Sequence, residues 1–218
     1  REDLETAERL NLVRVERTGR RLLARFAHPL FGELRRSAAG ELYRSKLRGQ
    51  LSGLLAKHAP PGDADPQRTV VRAQLALDSD LPPDPQLFLD AGEHAMRMLD
   101  VDLAERFAEA AASADPAAAA QLQAHCILAT RGGEEADQFL ANLRPADDAE
   151  RRVWALMRAV NMIWVLARPA EAAAILAQLA DQGGTDDETG AERAARLAVE
   201  ACVDAVNARC ATAEEKAR

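Results

Sequence analysis

Hydrophobic and polar residues follow two different periods along the chain. From residue 66 onward, apolar residues recur every three or four positions, which is the spacing of one face of an α-helix. By contrast, Val13 and Val15 alternate with charged residues, Thr18-Gly19 marks a turn, and Leu22 to Phe26 can return as a second strand, which predicts a β-hairpin. Residues 2–12 have helical spacing. The order helix, hairpin, helix is typical of the end of a winged-helix unit.

The segment after the hairpin predicts two more helices and then a boundary. His28-Pro29 begins the first helix, because proline at an early helical position loses no hydrogen bond. A basic amphipathic helix is predicted from about Glu41 to His58, and residues 59–66 have the Pro and Gly content of a linker. We therefore expect the C-terminal part of a winged-helix domain with its following basic helix at 1–58, and a helical-repeat domain at 66–218. The residues expected to face inward on the basic helix are Leu42, Leu47, Leu51, Leu54 and Leu55.

Pro, Gly and Asp residues divide residues 66–218 into helices of about 11–20 residues, a pattern that is typical of helical repeats. The tetratricopeptide repeat is a pair of helices of about 34 residues, with small residues where the helices touch. Three units can be aligned at Ala104, Ala136 and Ala172, and residues 191–210 match the first helix of a fourth. The pattern predicts an irregular TPR-like α-solenoid, with a plain helical bundle as the alternative. The first unit places small or aromatic residues and a proline at Phe88, Ala91, Gly92, Ala95, Ala104, Ala108, Ala111 and Pro116.

Composition and charge support an all-α fold with one hairpin and two modules. Alanine supplies 47 of the 218 residues and aromatic residues only 4%, which favours helix over a large sheet. Residues 1–58 hold 13 Lys and Arg against 7 Asp and Glu, whereas residues 59–218 hold 15 against 28. The acidic module is therefore a poor candidate for binding nucleic acid.

The expected compartment is the cytoplasm. The 3 cysteines are well separated, which favours a reducing environment over a disulfide framework. No apolar run reaches the length of a membrane span, and no signal peptide precedes the first helix. The chain begins at Arg1 within helical periodicity, so we expect it to be a piece of a larger protein.

The sequence contains no recognisable catalytic or metal-binding motif. It has no phosphate-binding loop, no G-x-S-x-G elbow and no histidine at metal-ligand spacing from Cys, Asp or Glu. We expect no catalytic residue, no metal and no cofactor site complete within this chain. An enzyme with an unrecognised motif is the alternative from another class.

A predicted binding groove lies on the helix that carries both tryptophans. Aromatic and amide side chains supply contact area and specific hydrogen bonds, and repeat stacks present their first helices on a concave face. The predicted effector or partner site consists of Trp154, Met157, Asn161 and Trp164. The alternative is that these residues pack in the core, because a polar side chain in an apolar helix usually has an internal partner.

The segment RLLARFAHPLFGELRR (21–36) resembles the winged-helix end of the large ATP-dependent LuxR-type transcriptional regulators, members of the STAND NTPase class. The chain departs from that family at Leu47-Arg48, where a Leu-His pair is common. Residues 75–111 resemble the start of the same family's TPR-like region, and residues 161–172 carry a weaker match. The matching positions of the first segment are Arg25, Phe26, Ala27, His28, Pro29, Leu30, Gly32 and Glu33.

The resemblance implies a bacterial, non-catalytic sensor region that receives an effector or a protein signal. Its partners would be a separate ATPase and a helix-turn-helix DNA-binding domain of the full-length protein, and a homo-oligomer is possible on this reading. It implies ATP or ADP for the full-length protein, with His28 as a candidate nucleotide-sensing residue beside that ATPase. A helix-start histidine in the core is the alternative for His28. Direct DNA binding and membrane association by this chain are not expected. The alternative function is a stand-alone TPR-type adaptor for protein–protein interaction.

Overall fold

The structure is a computed structural model that describes residues 2–18, 21–58, 65–181 and 190–207. These residues form eleven helices and one antiparallel two-stranded sheet, which confirms the all-α class with a single hairpin. Most of the predicted linker, residues 59–64, and the predicted Gly183-Gly184 turn lie outside the described residues. The elements are α1 (Glu2–Arg9), β1 (Val13–Thr18), β2 (Arg21–Phe26), α2 (Pro29–Ala38), α3 (Glu41–Lys57), α4 (Pro66–Leu77), α5 (Pro85–Arg97), α6 (Val101–Ala111), α7 (Pro116–Thr130), α8 (Gly133–Asn142), α9 (Asp148–Trp164), α10 (Pro169–Asp181) and α11 (Gly190–Val206).

Aspartate side chains cap the N-termini of four helices. The side chain of Asp84 accepts a hydrogen bond from the Leu87 N–H at 3.2 Å, so one of the unpaired donors of the first turn is satisfied. A proline follows this cap in α5 and also begins α2 and α7. Each cap joins residues only three apart, so the helix starts are encoded locally. The same cap is made by Asp100, Asp115 and Asp147.

The chain divides into two compact units. The first contains residues 1–61 and 74–82, and the second contains residues 62–73 and 83–218. The first division is near the predicted boundary at 59–66. The segment 74–82 belongs to the first unit, whereas the sequence analysis placed it with the helical repeats. The two units are described separately below.

In the first unit, α3 does not bury its leucines. Leu42 is 88% exposed, and the buried residues of α3 are Gly49 and Ser52. A Cβ atom on Gly49 would lie 3.0 Å from Asp80 Oδ1, so this face meets the 79–81 segment at a distance that only small residues permit. The expectation that the leucines face inward is therefore wrong for four of the five; Leu55 is partly buried. The exposed ones are Leu42, Leu47, Leu51 and Leu54.

The second unit is built from helix pairs. α6 packs on α5, α8 on α7 and α10 on α9, and α11 packs against both α9 and α10. Phe88 and Phe107 stack with ring centroids 6.1 Å apart at the centre of the first pair. A Cβ atom on Gly92 would overlap Leu122 Cδ2, which shows how closely α5 and α7 approach. The first predicted repeat is confirmed in its packing, since its small and aromatic positions on both helices are buried.

The second and third predicted repeats match less well. His125 and Ala129 of α7 and Val160 of α9 occupy positions that the repeat pattern assigns to the interior, yet all three are exposed. Two of them, His125 and Val160, line one apolar cavity in this unit. The departure from the repeat pattern therefore coincides with an opening between the second and third helix pairs.

Candidate functional site

The second unit contains an apolar cavity of about 580 Å³, partly open to solvent. Its walls come from α7 and α9, the first helices of the second and third pairs, and from α8 and α11. This volume lies within the range of pockets that hold small ligands. The lining residues are Ala124, His125, Leu128, Ala136, Leu140, Val153, Leu156, Met157, Val160, Asn161, Val165, Ala195 and Val199.

The cavity lies beside the side-chain contact between two neighbouring first helices. α5 packs against α7 and α9 packs against α11, whereas α9 reaches α7 through Trp154, which packs against Ala120 and Ala124. The second repeat is two residues shorter than the first at the Gly132-Gly133 turn, and α8 has only 10 residues. Beyond the Trp154 contact, the space between α7 and α9 is bounded by side chains instead of being filled by them.

One face of α9 supplies much of the wall. Val153, Leu156, Met157, Val160 and Asn161 line the cavity. They stand at positions i, i+3, i+4, i+7 and i+8, so they lie along one side of a helix with 3.6 residues per turn. That spacing is visible in the sequence, although the sequence analysis selected only Met157 and Asn161 from this face.

Polar contacts hold α8 against the C-terminal half of α9. Asn161 Nδ2 donates to the Gly133 carbonyl oxygen at 2.7 Å, and both residues are buried. Arg158 donates to both oxygens of Asp137, from Nε at 2.7 Å and from Nη2 at 3.3 Å. A paired guanidinium and carboxylate of this kind fixes orientation as well as distance. Beyond the end of α9, Arg168 pairs with Glu134 near the start of α8.

The four predicted groove residues do not share one surface. Met157 and Asn161 line the cavity. Trp154 is 7% exposed and packs in a core cluster with Ala120, Ala124 and Leu140; no described residue accepts a hydrogen bond from its indole N–H. Trp164 is 68% exposed at the end of α9 and does not line the cavity.

Asn161 contributes little polarity to the cavity. Its Nδ2 is occupied by the Gly133 carbonyl. Its Oδ1 is buried and accepts no hydrogen bond from any described residue. The internal partner that the sequence analysis anticipated for this asparagine is therefore the backbone at the start of α8.

His28 begins α2 as its N-cap. Its Nδ1 accepts a hydrogen bond from the Leu30 N–H at 3.2 Å, and its ring meets the Phe31 ring edge-on at 6.2 Å. The side chain is exposed, so it does not have the core position that was the alternative for this residue. Its role beside a nucleotide stays a prediction.

Cys126 lies behind the cavity wall on α7. It is fully buried, and its Sγ is 3.6 Å from Met96 Sδ. Burial, and next the nearby Glu105 carboxylate, raises the pKa of this thiol to about 11. A thiol with so high a pKa is a weak nucleophile at neutral pH, because the reactive form is the thiolate.

Among the described residues, His, Cys, Asp and Glu side chains form no group of three or more that could hold a metal ion. None of the helices in this part of the chain combines the length and the apolar character that a membrane crossing requires. Comparison with protein-family models, curated proteins and solved structures finds no match for this chain.

Proposed function

We propose that this chain receives a signal by binding it and takes no part in catalysis. The observation that carries the proposal is the cavity of about 580 Å³ walled by α7, α8, α9 and α11. Of its lining residues only His125 is ionisable, so the cavity offers no pair of acid and base groups for chemistry on a bound molecule. Its volume and its apolar wall suit a binding site.

The signal-receiving role fits a sensor region of an ATP-dependent LuxR-type regulator. Support comes from residues 21–36 and 75–111, which resemble that family. In this proposal the second unit detects the signal in the cytoplasm and controls an ATPase and a helix-turn-helix domain of the full-length protein. His28 would act on nucleotide only in combination with that ATPase, and ATP or ADP would bind there instead of in this chain.

The test compares two exposed alanines of the second unit in the full-length regulator. Ala195 lines the cavity from α11, and Ala174 on α10 does not. We expect Ala195→Phe to abolish signal-dependent transcription, because the new ring occupies space that the signal requires. Ala174→Phe adds the same ring outside the cavity and should leave the response unchanged. Full induction with Ala195→Phe would overturn the proposal.

A stand-alone adaptor is the second candidate, and one observation favours it. Trp164, Val165 and Val160 are 68%, 50% and 40% exposed at the C-terminal end of α9. Exposed aromatic residues beside apolar ones are common in protein interfaces. If a protein partner is the signal, Trp164→Ala should weaken its binding at least tenfold, and Ala195→Phe should have little effect. The opposite result favours a signal bound inside the cavity.

A further inference from the structure

The lining of the cavity selects against charged and strongly polar ligands. Eleven of its thirteen residues have apolar side chains, and none is Asp, Glu, Lys or Arg. The amide of Asn161 is occupied or buried, which leaves His125 at the exposed edge as the accessible polar side chain. A phosphate, a carboxylate or a sugar placed here would lose hydrogen bonds to water without regaining them.

The same lining selects against an extended peptide. Every peptide unit carries an N–H and a C=O that need partners when they leave water. The wall is made of helices whose own backbone groups are paired, and it offers few side-chain donors or acceptors. A cavity of about 580 Å³ lies within the size range of pockets that hold small organic molecules.

Polar contacts fix two of the elements that line the cavity relative to each other. Asn161 to Gly133 and Arg158 to Asp137 join α8 to α9, and Arg168 to Glu134 joins α8 to the turn after α9. The α8 and α9 parts of the wall are therefore held in place without a ligand. A site that is already formed does not require its ligand to order it.

From these observations we infer that the cavity binds an uncharged, predominantly apolar small molecule that fills the gap between α7 and α9. The inference rests on the proposed function and names the chemical class of the signal. The bound molecule would contact Leu128 on α7, Met157 on α9 and Val199 on α11 together. It would therefore add to the contact between the second and third helix pairs, whose first helices meet through Trp154 against Ala120 and Ala124.

The experiment uses two fluorescent probes that differ in charge. N-phenyl-1-naphthylamine is uncharged, and 1-anilinonaphthalene-8-sulfonate has the same ring system with a sulfonate added. We expect the 218-residue chain to bind the uncharged probe saturably at one site, with a blue shift of its emission. We expect the sulfonate to bind at least tenfold more weakly, because none of the described residues that line the cavity is Lys or Arg. Equal affinity for the two probes, or no saturable binding of the uncharged one, would overturn the inference.

Two variants locate the binding. Ala195→Phe and, independently, Val199→Phe should weaken binding of the uncharged probe at least tenfold, and Ala174→Phe should bind it as the unmodified chain does. Circular dichroism verifies that each variant is folded, and two filling positions guard against the loss of one. If both folded filling variants bind the probe normally, the molecule sits elsewhere and the inference is wrong.

Failure of this inference can be separated from failure of the proposed function. Probe binding is measured on the purified chain without transcription. If Ala195→Phe removes probe binding but leaves induction unchanged, the proposed function is wrong and the inferred ligand class still holds. Loss of induction in the same variant, without any binding of the uncharged probe, would contradict the ligand class alone. A second copy of the chain as occupant would appear as a dimer that the uncharged probe dissociates, and this would also overturn the inference.

Discussion

Asn161 Nδ2 on α9 donates a hydrogen bond of 2.7 Å to the carbonyl oxygen of Gly133, the first residue of α8. The approach is so close that a Cβ atom on Gly133 would lie 2.8 Å from Asn161 Oδ1 and 2.9 Å from Val165 Cγ1. The pair therefore combines a buried hydrogen bond with a steric requirement for glycine. It fixes the edge of the cavity at which α8 and α9 meet.

Substitutions at this pair should be coupled. Asn161→Ala removes one buried hydrogen bond and should reduce the free energy of unfolding by about 1 kcal/mol. Gly133→Ala forces a methyl group into occupied space and should reduce it by about 1–3 kcal/mol. In the double variant the methyl group occupies the space left by the amide. The double variant should therefore lose less free energy of unfolding than the two single variants lose together. Urea denaturation of the four proteins measures this coupling, and strictly additive losses would contradict the steric relationship.

Gly132 should be intolerant of any side chain for a different reason. Its φ of 95° with ψ of 178° lies in a region of backbone conformation that is essentially confined to glycine. Gly132→Ala should therefore destabilise the second unit by about 1–3 kcal/mol, although no atom would clash with the new Cβ. The measurement is thermal unfolding followed by tryptophan fluorescence, which reports on α9.

Gly53→Ala is the matched control for this prediction. Gly53 lies inside α3 of the first unit, it is exposed, and no atom lies within 4 Å of its added Cβ. Alanine there should favour the helix by about 0.5–1 kcal/mol and leave the fluorescence transition unchanged. A Gly132→Ala protein as stable as the control would show that the turn tolerates a side chain.

The two tryptophans should differ sharply in their effect on stability. Trp154 is 7% exposed in the core cluster, so Trp154→Ala should lower the free energy of unfolding by about 3–5 kcal/mol. Trp164 is 68% exposed, and Trp164→Ala should change it by no more than about 0.5 kcal/mol. Far-UV circular dichroism in urea gives both values. Similar losses of stability for the two variants would contradict the burial of Trp154 and the exposure of Trp164.

Cys126 should be unreactive while the chain is folded. The raised pKa of about 11 leaves a thiolate fraction at pH 8 about a hundredfold below that of a thiol at its usual pKa of 9.0. In a C202S/C210S variant, DTNB should label Cys126 at least a hundredfold more slowly in buffer than in denaturing urea. Because the thiolate fraction grows about tenfold per pH unit below the pKa, the rate in buffer should rise steadily with pH and level off only above about 11. Rapid labelling of the native protein at pH 8 would contradict the burial of this side chain.

The sequence by itself determined the secondary structure and much of the first helix pair. The starts of α2, α5, α6, α7 and α9 depend on caps that reach only two or three residues along the chain, so a short stretch contains all the necessary information. The hairpin is likewise set by alternation around one turn. The small positions of the first repeat, such as Ala91 and Gly92, were recognisable because their spacing reflects a close helix contact.

Only the tertiary structure decided which apolar side chains are buried and which face a cavity. Trp154 lies among more charged residues of α9 than Trp164 does, yet Trp154 is in the core and Trp164 is exposed, because only Trp154 faces Leu140 of α8 and Ala120 and Ala124 of α7. The leucines of α3 were also expected to be buried from their spacing alone. The face of α3 that contacts residues 79–81 instead carries Gly49, and most of these leucines are exposed. The cavity between α7 and α9 is lined by residues of four helices, and its edge at α8 and α9 is held by the contact of Asn161 with Gly133, 28 residues apart. The periodicity of apolar residues indicates which face of a single helix is apolar. A cavity depends on the positions of several helices relative to one another, which periodicity does not contain.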